Sequence, residues 1–213
     1  MKEELLRFNK KQKYIIFDYE TCNLNLISTD NKPWQLAFMV FQADKILDQA
    51  DYILNWKDIH VSKEAAKITG FTKTMYNKRK SCPRKALEHF EKYLYDESII
   101  PLGHNVLGFD VYIHNIHRKL LKKNSDYSYI NRIIDTVCLA RSIKKNIEKK
   151  NNSERLPWMY KLLNIREKGL KVNLQQCCKD YDIDFDPNKL HDAMYDIKKN
   201  MEVFRKMLWE VEV

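Results

Sequence analysis

Lys13-Tyr-Ile-Ile-Phe-Asp-Tyr-Glu-Thr21 is a run of β-branched and aromatic residues ending in two carboxylates one residue apart. Such residues favour a strand. Side chains alternate across a strand, so Asp18 and Glu20 share one face while Phe17 and Tyr19 share the other. Two adjacent carboxylates repel, and a buried strand has little use for them unless a cation lies between. Asp-x-Glu is nevertheless a common tripeptide, and read alone it is more simply a charged strand end. The decision rests on the rest of the chain.

At 213 residues, 44% hydrophobic and 12% aromatic, the chain is expected to form one globular domain over residues 1–213. Lys and Arg number 38 against 29 Asp and Glu, a net charge of +9. Acids gathered into one site would leave the remaining surface more basic still, which favours a polyanionic partner, although on charge alone a merely solvated lysine surface fits equally well. The five cysteines form no Cys-x-x-Cys pair, and an odd count fits a disulfide framework badly. They read as reduced thiols of a cytoplasmic protein. The first residues are too charged for a signal peptide, and no apolar run approaches the roughly 18 residues of a membrane span.

After the acids, residues 28–33 read as a loop, and Trp34 to Gln42 and Lys45 to Trp56 as two strands around Ala43-Asp44, giving an antiparallel meander. Short helices are expected around Gly70, and Pro83 to Tyr95 has helical periodicity. Ser98 to His104 reads as a buried strand, Phe109 to Lys122 as a helix, and Ile133 to Thr136 as a strand that Asp135 caps into another helix. Residues 144–155 are too polar to bury and read as a loop or frayed helix, residues 3–8 as a turn or two of helix. Val172 to Tyr181 and a long helix ending near Trp209 complete a mixed α/β domain with five strands and helices on both faces.

Two further acids stand at suitable places. Asp110 follows the turn Gly103-His104-Asn105-Val-Leu-Gly108-Phe109 and opens a helix, where the macrodipole alone would favour an acid. Asp196 lies inside the last helix and His191 near its start. Five helical residues turn through roughly 140°, so His191 must precede the helix or occupy its first turn to face the same ligand as Asp196. Asp186-Pro187 offers a competing helix start.

Phe17-Asp-Tyr-Glu-Thr21, His104-Asn-Val-Leu-Gly-Phe-Asp110 and His191-x-x-x-x-Asp196, in this order, resemble the three motifs of the DEDD-type 3′-to-5′ exonucleases, in the branch with a histidine in the third motif. That family includes ribonuclease T and the proofreading subunit of bacterial replicative polymerase. Ala66-x-x-Thr-Gly70-Phe-Thr72 and Ile134-Asp-Thr-x-x-Leu-Ala-Arg141 extend the similarity, which spans about residues 13–208. The resemblance implies a ribonuclease H-like fold. It also implies two divalent cations held by Asp18, Glu20, Asp110 and Asp196, His191 as general base, and substrate contacts from Thr21, Leu24, Asn105 and Phe109. All-carboxylate sites suit Mg²⁺ or Mn²⁺, two such ions about 4 Å apart clamp the oxygens of a phosphodiester, and a histidine takes the water proton at neutral pH.

The sequence departs from the family at Thr21-Cys22-Asn23-Leu24, where Asn23 stands for a glycine and is expected to take positive φ, and at Thr69, where a histidine is usual. Asp192 and Asp135 are expected on the helix surface and as a helix cap, and Tyr195 in the core or groove. Lys119, Lys122, Lys123, Lys144, Lys145, Lys149 and Lys150 are expected to address phosphates. The expected activity is release of nucleoside monophosphates from single-stranded DNA or RNA 3′ ends. The alternative is a degenerate nuclease fold serving as a nucleic-acid-binding or polymerase-associated module. With no visible polymerase-binding tail, a stand-alone enzyme is expected.

Overall fold

A computed structural model of the chain describes residues 5–150 and 154–213. Part of the 3–8 turn and part of the polar 144–155 segment lie outside the described residues. The opening stretch forms β1 (Lys13–Thr21), followed by β2 (Pro33–Gln42) and β3 (Lys45–Leu54). These three pair antiparallel, with Asp18 opposite Ala37 and Glu20 opposite Gln35. Helices α1 (Lys63–Thr69) and α2 (Lys73–Arg79) flank Gly70, whose φ of 68° lets the chain leave α1 in the left-handed region. A strand β4 (Lys80–Ser81) then runs beside Ile53 and Leu54. Helix α3 (Pro83–Leu94), strand β5 (Ile99–Gly103), helix α4 (Asp110–Leu120), strand β6 (Ile134–Asp135) and helices α5 (Thr136–Lys145), α6 (Arg155–Leu163), α7 (Leu174–Asp180) and α8 (Ala193–Met207) follow.

The sheet has six strands in the order β4-β3-β2-β1-β5-β6 rather than the expected five. The extra strand, β4, is two residues long and carries no periodicity a sequence reading could detect. Helix α6 also escapes the reading. It buries Trp158, Met159 and Leu162 behind a polar approach and with Pro157 in its first turn.

Alternation along β1 decides what each face meets. Phe17 packs on Phe90 of α3 with ring centroids 4.9 Å apart, and Tyr19 meets His117 of α4 edge-on. Tyr14, on the opposite face, packs against Phe204 of α8 at 5.3 Å. Asp18 and Glu20 have the parity of Tyr14 and therefore face α8. Strand β5 pairs parallel with β1 only as far as Ile16 opposite Leu102. The two acids thus project beyond the carboxyl end of β5, where a parallel sheet opens its crevice.

Candidate active site

The end of β1 is fixed from both faces. Tyr19 places its hydroxyl 3.2 Å from His117 Nδ1, while His117 Nε2 lies 3.1 Å from the Pro83 carbonyl. A carbonyl only accepts, so Nε2 carries the proton and the tyrosine hydroxyl donates to Nδ1. Burial pushes the His117 pKa down to about 3, which keeps the ring neutral. The backbone N–H of Tyr19 donates to Asp110 Oδ1 at 2.9 Å. The second acid segment is thereby tied to the tripeptide that carries the first two.

The turn between β5 and α4 is held by a buried carboxylate. Asp135 accepts from the N–H groups of Asn105 (3.0 Å), Leu107 (3.0 Å) and Val137 (2.9 Å). It is the expected cap of α5 and in addition anchors the turn that presents Asn105 and Phe109. Asn105 has a φ of 62°, and a Cβ on Gly108 would lie 2.5 Å from Asn105 Oδ1, so a larger residue there would displace the Asn105 side chain.

His191 stands in the loop before α8 with a φ of 70°, as the 140° argument requires. Asp186-Pro187 starts only a single 3₁₀ turn, and Asp192 is the N-cap of α8, accepting from Tyr195 N–H at 2.9 Å, rather than a surface residue of that helix. The His191 N–H donates to Asp196 Oδ2 at 3.1 Å. The Tyr195 hydroxyl accepts from the Asp186 N–H at 2.6 Å, so it braces the same loop.

Asp18, Glu20, Asp110, Asp196 and His191 line one cavity of about 300 Å³, together with Asn105, Phe109 and other side chains. Thr21 and Leu24 are not among its lining residues. The register slip at Glu20/Thr21 turns Thr21 inward, where its hydroxyl donates to the Asn23 carbonyl at 2.6 Å. Leu24 is 84% exposed on the following loop. Asn23 is not at positive φ; that loop is held instead by asparagine side chains, such as Asn31 Oδ1 accepting from Asn23 N–H at 2.8 Å. His104, Asn173, Leu174 and Asn200 line the cavity without having been expected to. Asn200 lies four residues from Asp196, a spacing that places both on one helical face and could have pointed to it. Its Oδ1 accepts from Thr136 Oγ1 at 2.7 Å, and Thr136 Oγ1 is 2.9 Å from His104 Nδ1.

The electrostatics are those of crowded acids. Burial, then the charges of Asp110, Glu20 and Asp196, raises Asp18 well above the ordinary carboxylate range, and burial with Asp196 and Asp110 does the same to Glu20. Burial pushes Asp110 to about 8 against the opposing Tyr19 N–H bond, and Asp196 to about 7 against that of His191. Partial burial lowers the His191 pKa below its ordinary value. Asp196 Oδ1 is buried with no hydrogen-bond partner. Four clustered carboxylates and an orphaned carboxylate oxygen suit a hard divalent cation. As placed, no group of three acidic, histidine or cysteine side chains among the described residues stands close enough to chelate one ion. The donor chemistry fits a cation, and ligation would require these side chains to close together.

Acids from β1, α4 and α8 thus converge on one cavity. Residues 15–204 match the family model described as Exonuclease, of the ribonuclease T type, and the chain belongs to that family. No curated protein sequence matches significantly. Among solved structures, Escherichia coli exonuclease I in complex with a dT13 oligonucleotide is similar, with a TM-score of 0.71 and 15% identity over 93% of this chain and 41% of that one. The zinc-bound form of the E. coli ExoI–ssDNA complex has a TM-score of 0.69 and 16% identity over 92% and 40% of the chains. The ExoI/SSB-Ct complex has a TM-score of 0.69 and 14% identity over 93% and 41%. The present chain therefore spans about two fifths of the length of the exonuclease I chains. The six-stranded mixed sheet flanked by helices is the ribonuclease H-like fold that these structures share.

Proposed function

We propose that the protein is a divalent-metal-dependent 3′-to-5′ exonuclease of the histidine branch, acting on single-stranded nucleic acid as one domain over residues 1–213. The observation that carries this reading is the shared cavity, in which four carboxylates and one histidine from three separated segments meet. Metal dependence is general to the family, and the exonuclease I structures hold single-stranded DNA. Cleavage in the cytoplasm suits the five free cysteines, four of them buried. Among the described residues no helix is long and apolar enough to cross a membrane.

In this mechanism Asp18, Glu20, Asp110 and Asp196 would hold two Mg²⁺ or Mn²⁺ ions, which would polarise the scissile phosphate and lower the pKa of water. His191, neutral at physiological pH because its pKa is lowered, accepts the proton of the attacking water at its free ring nitrogen. Its own backbone N–H fixes Asp196, so base and ligand move as one unit. Phe109 and Asn105 border the terminal nucleotide, and Tyr19 with Asp135 keeps the two acid-bearing segments in register. Leu24, exposed on the loop after β1, is assigned an apolar face for the last base.

The test is the purified protein with Mg²⁺ on matched end-labelled DNA and RNA oligomers, with Asp110→Asn alongside. Shortening of single strands by the wild type alone supports the reading and identifies the preferred sugar. Binding without any shortening in Mg²⁺ or Mn²⁺ would make the chain a nucleic-acid-binding or polymerase-associated module instead.

A further inference from the structure

Positive charge is unevenly distributed along this chain. Residues 57–85 hold nine lysines and arginines against two acids, a net of +7 in a chain of +9. All nine are exposed, and among the described residues only Arg79, which pairs with Asp51, is in an ion pair. The lysines that the sequence reading favoured are differently placed. Lys123 pairs with Glu91, Lys144 with Asp180 and Lys145 with Glu167.

Helices α1 and α2 are capped by Ser62 and Thr72; α2 stands on a small core of Trp34, Ile53 and its own Tyr76, with Phe71 and Met75 packed against it, while α1 buries no residue. A second cavity of about 250 Å³ lies between this module and the loop before α8, with Gly70, Met75 and Arg79 on one side and Lys189 and His191 on the other. His191 therefore borders both cavities. Ile68 of α1 is 56% exposed among the lysines.

We propose that the α1–α2 module binds the sugar-phosphate backbone of the single strand leading away from the cleaved end, the strand crossing the second cavity past His191. The proposal rests on the exonuclease reading above. A nucleic acid is favoured over an acidic peptide because the surface joins the acid-lined cavity through a shared side chain. Unpaired lysines interleaved with an exposed apolar residue also match a backbone with bases rather than a carboxylate tail.

The test is Lys73→Gln/Lys78→Gln/Lys80→Gln in the full chain. A control of Lys161→Gln/Lys168→Gln/Lys206→Gln neutralises three exposed lysines elsewhere. Fluorescence anisotropy in chelator measures binding of a thymidine single strand of about thirty nucleotides against salt, and turnover is followed on that strand and on a trinucleotide in Mg²⁺. For single strands each phosphate contact contributes about 0.7 to the slope of log affinity against log salt, so the first variant should show a slope shallower by about 2. Its Kd for the long strand should rise more than about tenfold at low salt, with trinucleotide turnover unchanged and the control like wild type. Unchanged affinity and slope, equal loss in the control, or equal loss on the trinucleotide would overturn the proposal. So would a polyglutamate peptide that binds wild type as tightly as the long strand and is lost in the same variant. If the predicted binding differences appear but the wild type cleaves neither substrate, the exonuclease reading fails while the surface assignment stands.

Discussion

The backbone N–H of Tyr19 donates to Asp110 Oδ1 over 2.9 Å, joining residues 91 positions apart. The residue between Asp18 and Glu20 thus holds the third acid, so β1 supplies two proposed ligands through its side chains and positions another through its backbone.

Replacing any one acid should remove activity without unfolding the protein. Asp18→Asn, Glu20→Gln, Asp110→Asn and Asp196→Asn are each expected to lower turnover by at least about 10²–10³-fold, the scale of losing one fixed electrostatic group. Neutralising one member of a repelling cluster relieves strain, so melting in chelator should occur at or above the wild-type temperature. A variant that keeps wild-type turnover would drop that residue from the site.

His191→Ala should cost roughly 10²–10⁴-fold in turnover and leave the apparent metal affinity unchanged. Because burial lowers the His191 pKa from 6.5, the wild-type acid limb of turnover should lie below pH 6.5. A limb above that value, or a variant retaining the same limb, would assign the base elsewhere.

Stability should depend on pH with a sign that divalent metal changes. Asp110 and Asp196 have folded pKa values raised to about 8 and about 7, so without metal the folded state loses stability as pH rises through them. His104 and His117 are lowered to about 4 and about 3, so stability is full above 6.5 and declines below it at up to about 1.4 kcal/mol per pH unit for each imidazole. In chelator, Tm should rise as pH falls from 8 to 6.5. In saturating Mg²⁺ the first slope should vanish, leaving a fall below 6.5. Identical profiles with and without metal would mean that the acids bind none.

The turn before α4 should separate positioning from stability. Asp135→Ala strands the buried N–H donors of Leu107 and Val137 together with the more exposed one of Asn105, and should cost a few kcal/mol, at about 1–3 for each buried unsatisfied group. Gly108→Ala meets only the end of the Asn105 side chain, which can swing away, so it should raise KM while scarcely moving Tm. A large Tm drop in Gly108→Ala would mean that the backbone, not Asn105, resists the added methyl.

Much of this arrangement is legible in the sequence because strand alternation and helical spacing are local rules. They put Asp18 and Glu20 on one face and require His191 to precede the helix of Asp196 or occupy its first turn. The places of Thr21 and Leu24 are not legible, since a register slip at Glu20/Thr21 depends on how β2 pairs with β1. Which lysines carry ion pairs is hidden for a related reason. Counting lysines cannot reveal that Lys144 and Lys145 face Asp180 and Glu167, acids 36 and 22 residues away, whereas those of residues 57–85 have few acids near them. The buried polar side of α4 is likewise hidden, because His114 and His117 pair with Tyr129, Glu91 and Tyr19 from other elements.

The central claim is end-directed, metal-dependent hydrolysis in the cavity of the four acids. It is tested most directly with a 5′-labelled single strand in Mg²⁺ bearing either a 3′-hydroxyl or a 3′-phosphate, beside a circular strand of the same sequence. A ladder shortening from the 3′ end, slowed or blocked by the phosphate and absent for the circle, for chelator and for Asp110→Asn, is the predicted result. Cutting of the circle, or an undiminished ladder from Asp110→Asn, would contradict it.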